Sequence, residues 1–265
     1  MKRIIMCPPE YYNIEYSINP WMNTKNRVKK EKAFQQFQDL KNVFINNGVE
    51  VAELIPVEGL PDMIYATNSG YAEDKIFIKS NFKAFQRLHE ADSTAKYFKE
   101  HGYEIYTLPK NITFEGEGDL IRSENKYFIG FGNRTDVMAK DYIEDILNKE
   151  IFNLELVNPY FYHLDTCLGP LNDNVVVINP EAFTKEGLKI IKSEFNNIII
   201  AGETDNNILA CNLVVNKNDV FIGKGISEKL RNEIEGYGFN VNEIAMSEFL
   251  KGGGSIKCLT LEIFD

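Results

Sequence analysis

Two stretches of the sequence could do covalent chemistry. The first is Gly252-Gly253-Gly254-Ser255-Ile256-Lys257-Cys258-Leu259-Thr260, a glycine run that ends in a cysteine on a short apolar strand. Glycine tolerates positive φ and close backbone approach, so such a loop can wrap a ligand and offer it backbone N–H groups. The thiolate is the reactive form of cysteine, and a neighbouring cation or histidine raises its share. The second is Tyr162-His163-Leu164-Asp165-Thr166-Cys167, where His163 and Asp165 share a face if the stretch is extended. Imidazole suits proton transfer near neutral pH, and a carboxylate two residues on can hold the ring or a cationic substrate. Each stretch also has a plain structural reading: a turn leading to a buried thiol, and a core histidine with its carboxylate.

A third cluster bears on the substrate. Phe114-Glu115-Gly116-Glu117-Gly118-Asp119 sets three carboxylates around two glycines, without the spacing of a calcium loop. Beside a cysteine and a histidine, carboxylates suit a planar guanidinium, which presents five N–H donors in a fork. Ala66-Thr67-Asn68-Ser69-Gly70 and Ile18-Asn19-Pro20-Trp21-Met22 are turn-like and contribute one amide each. Gly132-Asn133-Arg134-Thr135-Asp136 opens a helix, and Arg134 could clamp a carboxylate with two parallel hydrogen bonds. His89 and His101 fall on a helix and read as surface residues, whereas Cys167 and Cys211 read as packing residues.

Groups so far apart in the chain need a repeating scaffold to meet. Apolar residues recur at helical spacing over 25–47, 83–101, 135–148, 184–195 and 226–236. Short strands are expected after these helices at 49–55, 103–108, 154–157, 198–201 and 239–244. Others precede them at 3–7, 75–79, 126–129, 175–178 and 219–222. The unit is strand–helix–strand, and five such units predict an α/β fold closed as a five-bladed propeller, strands inside and helices outside. Residues 1–265 then form a single domain. An open doubly wound sheet would call for a glycine-rich phosphate loop after the first strand, and Cys7-Pro8-Pro9-Glu10 is not one. Asn19, Asn68, Glu115, His163, Cys211 and Cys258 recur at separations of 49, 47, 48, 48 and 47, which would turn them toward one axis.

Composition narrows the partners. The chain carries a formal charge of −10 with no basic stripe, which disfavours nucleic acid and anionic membranes. No signal peptide or membrane-length apolar run is visible, so a cytoplasmic setting with four free thiols is expected. The cysteines form no CxxC pair, and with three histidines no metal site is expected.

Together, the Cys-Pro-Pro and Ile-Asn-Pro-Trp-Met opening, the acidic turn, His-x-Asp and the closing Gly-Gly-Gly-Ser-x-x-Cys-x-Thr resemble the pentein-fold guanidino-group-modifying enzymes. That superfamily includes amidinotransferases, arginine deiminases and dimethylarginine dimethylaminohydrolases. The pattern is most similar to bacterial arginine dihydrolases, which convert arginine to ornithine, CO2 and ammonia. The resemblance implies Cys258 as nucleophile, His163 as general acid/base and Glu115 as its acidic partner. It further implies Asp119 and Asp165 as guanidinium ligands and Arg134 as a ligand of the substrate carboxylate, with no cofactor. Deiminases and dimethylaminohydrolases typically carry aspartate where this chain has Asn68. Similar dihydrolases carry asparagine there and at the position of Asn19, which ranks dihydrolase chemistry first. Methylated arginine and other guanidino acids stay open as substrates, as does homo-oligomerisation. A related five-fold ring also serves as a ribosome-associated factor that binds without catalysis, but that role would not need Cys258, His163 and carboxylates in register.

Overall fold

The structure is a computed structural model and describes residues 1–264. Strand β1 (Arg3–Met6) leads through a long irregular segment to helix α1 (Lys30–Asn46) and strand β2 (Glu50–Glu53). The second unit is β3 (Gly70–Glu73), β4 (Ile76–Lys79), α2 (Glu90–Glu100) and β5 (Glu104–Thr107). The third is β6 (Leu120–Ser123), β7 (Lys126–Phe131), α3 (Ala139–Leu147) and β8 (Ile151–Glu155). The fourth is β9 (Leu168–Pro170), β10 (Val175–Ile178), α4 (Lys185–Glu194) and β11 (Asn197–Ile200). A short helix α5 (Glu203–Asn206) precedes the fifth: β12 (Val214–Asn216), β13 (Asp219–Gly223), α6 (Glu228–Gly236) and β14 (Asn240–Ile244). The chain closes on β15 (Leu261–Phe264), which pairs antiparallel with β1 and so completes the first unit.

The five amphipathic helices and their flanking strands match the sequence expectation in place and order. The unit itself needs correcting, because each carries a further antiparallel strand in front of the parallel pair. Tyr71 faces Ile78 across the β3–β4 hairpin, while Phe77 faces Ile105 in the parallel β4–β5 pair. The extra strands are only three or four residues long. The β3–β4 turn holds Asp74 and Lys75 at φ 47° and 64°, the left-handed conformation a two-residue hairpin requires. Sheet organisation also differs from five separate blades. Parallel pairing of β15 with β3 fuses the first two units into a six-stranded sheet, β2-β1-β15-β3-β4-β5, beside three sheets of three strands.

Helices α1, α2, α3 and α6 bury an apolar stripe against their own parallel strands, α1 also reaching β14 and α6 also reaching β11. Helix α4 packs instead on β8 of the preceding unit. Phe37, Leu40 and Phe44 of α1 pack on Ile4, Met6 and Val49, and Phe98 of α2 stacks on Phe77 of β4 at 4.2 Å between ring centroids. Ordered tightly by these cores, the short turns ahead of the inner strands share one side of the structure. Residues 66–69, 116–118, 164–166 and 257–259 are single 3-10 turns leading into β3, β6, β9 and β15. The turn at 66–69 packs against those at 116–118 and 257–259, and 116–118 against 164–166.

Candidate active site

Those turns carry the reactive groups. Cys258 sits inside the turn Lys257–Leu259, not on the strand expected for it, and is buried. The glycine run before it is fixed by close approach: a Cβ on Gly254 would lie 2.4 Å from the Tyr65 ring. Its N–H groups do not face a ligand, because those of Gly252, Gly253 and Gly254 bond to the carbonyls of Phe249, Leu250 and Phe249. Gly254→Ala is therefore expected to cost about 1–3 kcal/mol of stability through overpacking against Tyr65. A urea midpoint equal to wild type would contradict this.

The Cys258 thiol donates to Asp165 Oδ2 at 3.2 Å and accepts from Asn212 Nδ2 at 3.1 Å. Burial and then the Asp165 carboxylate push this thiol well above the usual 9.0. Burial likewise raises Asp165 to about 7. The expected extended His163-Leu164-Asp165 stretch is instead an extended His163 followed by the 3-10 turn Leu164–Thr166. His163 and Asp165 therefore serve different partners.

His163 Nε2 lies 2.8 Å from Glu115 Oε2, which also accepts from Arg134 Nη1 at 3.1 Å. Burial would raise Glu115, but the Arg134 guanidinium and the His163 contact outweigh it and hold the carboxyl well below its usual range. With Nε2–H donating to Glu115, His163 Nδ1 is left as the acceptor facing Asn68 Nδ2 at 3.5 Å. The Asn68 amide is oriented from behind, because its Oδ1 accepts from Arg87 Nη1 at 3.0 Å. Gly118 lets Asn68 in, since a Cβ there would lie 2.2 Å from Asn68 Nδ2. Thr135 ties the Glu115 backbone to the Asp119 carboxylate: its hydroxyl accepts from Glu115 N and donates to Asp119 Oδ2 at 2.7 Å. The second oxygen of Asp119 accepts from Leu164 N at 3.1 Å, and burial raises this carboxyl to about 6.

The structure thus brings Cys258 to Asp165, and His163 to Glu115, Asn68 and Arg134. Among the described residues no hydrogen bond joins Cys258 to His163. Arg134 is not exposed at a helix start: it lies in the bend before α3, buried over the Tyr162 ring at 4.8 Å. Its Nη2 donates to Ile18 O at 2.8 Å, so a substrate carboxylate would have to displace the 18–22 segment from this fork. Asn19 in the same segment accepts from the N–H groups of Trp21 and Met22 and donates to Gly252 O at 3.0 Å. Its amide is spent on the turn and on the glycine run. His89 and His101 are exposed, and Cys167 and Cys211 are buried in separate apolar clusters.

Three site residues escaped the sequence reading. Arg87 falls within the helical spacing over 83–101, yet α2 begins only at Glu90 and Arg87 turns inward from a 3-10 turn. It is buried on Glu90, whose Oε2 accepts from its Nε and Nη2 at 2.9 and 2.7 Å. Lys257, next to Cys258, is buried in an ion pair with Glu117 and lies 3.5 Å from Glu262. Burial raises Glu117 to about 7, with Lys257 opposing. Asn212 is one residue from Cys211, which holds the 48-residue register. A cavity of about 370 Å³ lined by Asp165, Lys257, Glu117 and Glu262 backs onto this group.

The chain that carries these contacts resembles known proteins along its length. A family model described as eukaryotic N,N dimethylarginine dimethylhydrolase matches residues 11–265. The chain belongs to that family. The dimethylarginine dimethylaminohydrolase of Mycobacterium tuberculosis is 34% identical over 99% of this chain and 86% of its own length. The bifunctional arginine dihydrolase/ornithine cyclodeaminase ArgZ of Synechocystis is also 34% identical, over 98% of this chain. The match spans only 37% of that longer enzyme. Among solved structures, the ArgZ N-terminal domain, a cyanobacterial arginine dihydrolase captured as a cysteine-to-serine variant with substrate, superposes with a TM-score of 0.96. It is 32% identical and the match covers 100% of this chain and 99% of that one. The resemblance to guanidino-group-modifying enzymes read from the motifs is therefore borne out, as is a mixed α/β fold.

Proposed function

We propose that the protein is a cysteine hydrolase of guanidino C–N bonds that converts arginine and two waters to ornithine, CO2 and two ammonia. The observation that carries this reading is the pairing of a buried Cys258–Asp165 contact with a His163–Glu115–Arg134 relay on adjoining turns. A guanidinium bound at Asp165 and Asp119 places its carbon before the sulfur. Proximity of that cation offsets the burial and the negative charge that hold the proton on Cys258, so attack is coupled to substrate binding. The sulfur lone pair forms the C–S bond as a C–N bond breaks. The thiol proton passes to His163 Nδ1, and the nitrogen leaves with the C–N electron pair and takes that proton from His163, giving ammonia and a thiouronium. His163 then deprotonates water, C–O forms, and the C–S electrons return to sulfur.

Dihydrolysis requires a second attack on the neutral ureido group. Asn68 supports it, because a neutral amide between Arg87 and His163 adds no negative charge that would favour only a cationic ligand. Asn68→Asp is expected to move the product ratio from ornithine toward citrulline by roughly tenfold, a change of about 1.4 kcal/mol between competing steps. Product analysis by chromatography decides it, and an unchanged ratio would remove Asn68 from the explanation. The mycobacterial relative favours a second reading, dimethylarginine as substrate. Assay of arginine, dimethylarginine and other guanidino acids separates the two, and no turnover of any of them would leave a binding role.

We further propose that the five units close about one axis as a five-bladed propeller, with residues 1–265 as one catalytic domain. The β15–β3 pairing, which links the last strand to the second unit, and the shared position of the site-bearing turns support this closure. Four free cysteines suit a cytoplasmic setting.

A further inference from the structure

Among the described residues, Cys258 Sγ has one side-chain donor, Asn212. Asn212 ends the turn before β12, with its N–H on Leu209 O at 2.9 Å, and is fully buried. Its orientation is decided by the backbone. Cys258 N–H can only donate, and it meets Asn212 Oδ1 at 3.1 Å, so Nδ2 must be the atom that faces the sulfur at 3.1 Å. The other Nδ2 proton goes to Asp165 O at 3.2 Å. Every polar atom of this amide is thus committed to Cys258 or to the residue that contacts it. Asp165 Oδ2, the other side-chain partner of the sulfur, is an acceptor and repels negative charge there.

We propose that Asn212 is a catalytic residue: its Nδ2–H stabilises negative charge on Cys258 Sγ, while its Oδ1 fixes the turn that aims the sulfur. The role rests on Cys258 being the nucleophile. It operates twice in each hydrolysis, before the C–S bond forms and again when that bond breaks and the electron pair returns to sulfur. A hydrogen bond to an anion is stronger than one to a neutral thiol, so the contact favours the charged state and not merely the fold. The Ser255 backbone also favours the charged sulfur, more strongly than Asn212 does, and Asp165 opposes both.

Asn212→Asp keeps the shape and the acceptor for Cys258 N–H but sets an acceptor against the sulfur. The test measures alkylation of the full chain by iodoacetamide from pH 6 to 11, which needs no substrate, together with kcat and KM for arginine. The expected result is an alkylation profile displaced upward by about one pH unit or more and a kcat lowered roughly 10- to 100-fold at neutral pH, with KM within about threefold. Asn212→Ser, which keeps a small donor and is uncharged, is the second variant should the first fail to fold, and its profile is expected to move the same way by less. Unmoved alkylation profiles, with or without a fall in kcat, would overturn the proposal and leave Asn212 a structural residue. A displaced profile in a protein whose wild type turns over no guanidine would support the Asn212–sulfur contact and overturn the substrate reading instead.

Discussion

Cys258→Ala is expected to abolish turnover of every guanidino substrate while leaving the fold in place, a loss on the order of 10⁴- to 10⁶-fold in kcat. The side chain is buried but small, and its removal deletes one methylene-sized contact and two hydrogen bonds, to Asp165 and Asn212. Cys258→Ala should therefore melt within a few degrees of wild type and still bind substrate. The wild-type thiol carries its own signature. Burial and the neighbouring Asp165 hold it above 9.0, so alkylation by neutral iodoacetamide should be slow at pH 7 and climb steeply beyond pH 9. A small amidine cation carrying the same iodomethyl group, which brings its positive charge to Asp165 and loses iodide as C–S forms, should react faster than iodoacetamide at pH 7. Alkylation by iodoacetamide that is already maximal at pH 6 would mean a preformed thiolate, and substrate-coupled attack would have to be abandoned. Residual turnover in Cys258→Ala within tenfold of wild type would sink the assignment of the nucleophile.

Much of this scaffold was legible in the sequence because its repeats are written in amphipathic helices. Phe37, Leu40 and Phe44 at helical spacing, or the Phe77 and Phe98 pair, announce which faces are buried. The inner strands were not legible. They are no shorter than strands such as β4 and β10, or shorter by one residue, but several carry glycine, proline or charge in place of an apolar run, as in Gly70–Glu73 and Leu168–Pro170. Hairpins such as Asp74-Lys75 also lack the Asn-Gly pair that usually signals such a turn. Yet those strands fix where the turns bearing Asn68, Asp165 and Cys258 sit.

The site shows the same division. Types and spacing pointed to Cys258, His163, Glu115 and Asp165, since these residues are rare or clustered enough to stand out. Arg87, Lys257 and Asn212 are common types in ordinary contexts, and only packing turns them inward. Asn212 is instructive: the 48-residue register falls on Cys211, whereas the residue that faces the sulfur is its neighbour. Periodicity counts residues along the chain, and a single irregular turn such as 209–212 moves the inward position by one. Arg134 reads in the sequence as a clamp for a carboxylate, whereas in the structure its fork is held by the Glu115 carboxylate and the Ile18 carbonyl.

Glu115→Gln should produce the second large effect, and it separates chemistry from stability. Glu115 Oε2 holds both His163 Nε2 and Arg134 Nη1, and its Oε1 accepts from Lys83 N at 3.1 Å. Glutamine keeps one acceptor but removes the charge that steadies a protonated imidazole and balances the Arg134 guanidinium. Loss of that support for proton transfer is expected to lower kcat by about 10²- to 10⁴-fold. Stability should fall as well, by on the order of 3 kcal/mol, because a buried arginine is left without its carboxylate. The sign of the pH dependence follows from the direction of the shift. A carboxyl held below its usual 4.5 in the folded state stabilises the protein above that pH, and the benefit disappears as pH falls toward the folded value. The stability gap between wild type and Glu115→Gln should therefore be full at pH 7 and 5 and shrink below about 4.5. Urea midpoints across pH 3 to 7 measure it. A gap that widens on acidification would show that Glu115 is not held ionised by Arg134 and His163, and a kcat within threefold of wild type would remove it from the relay.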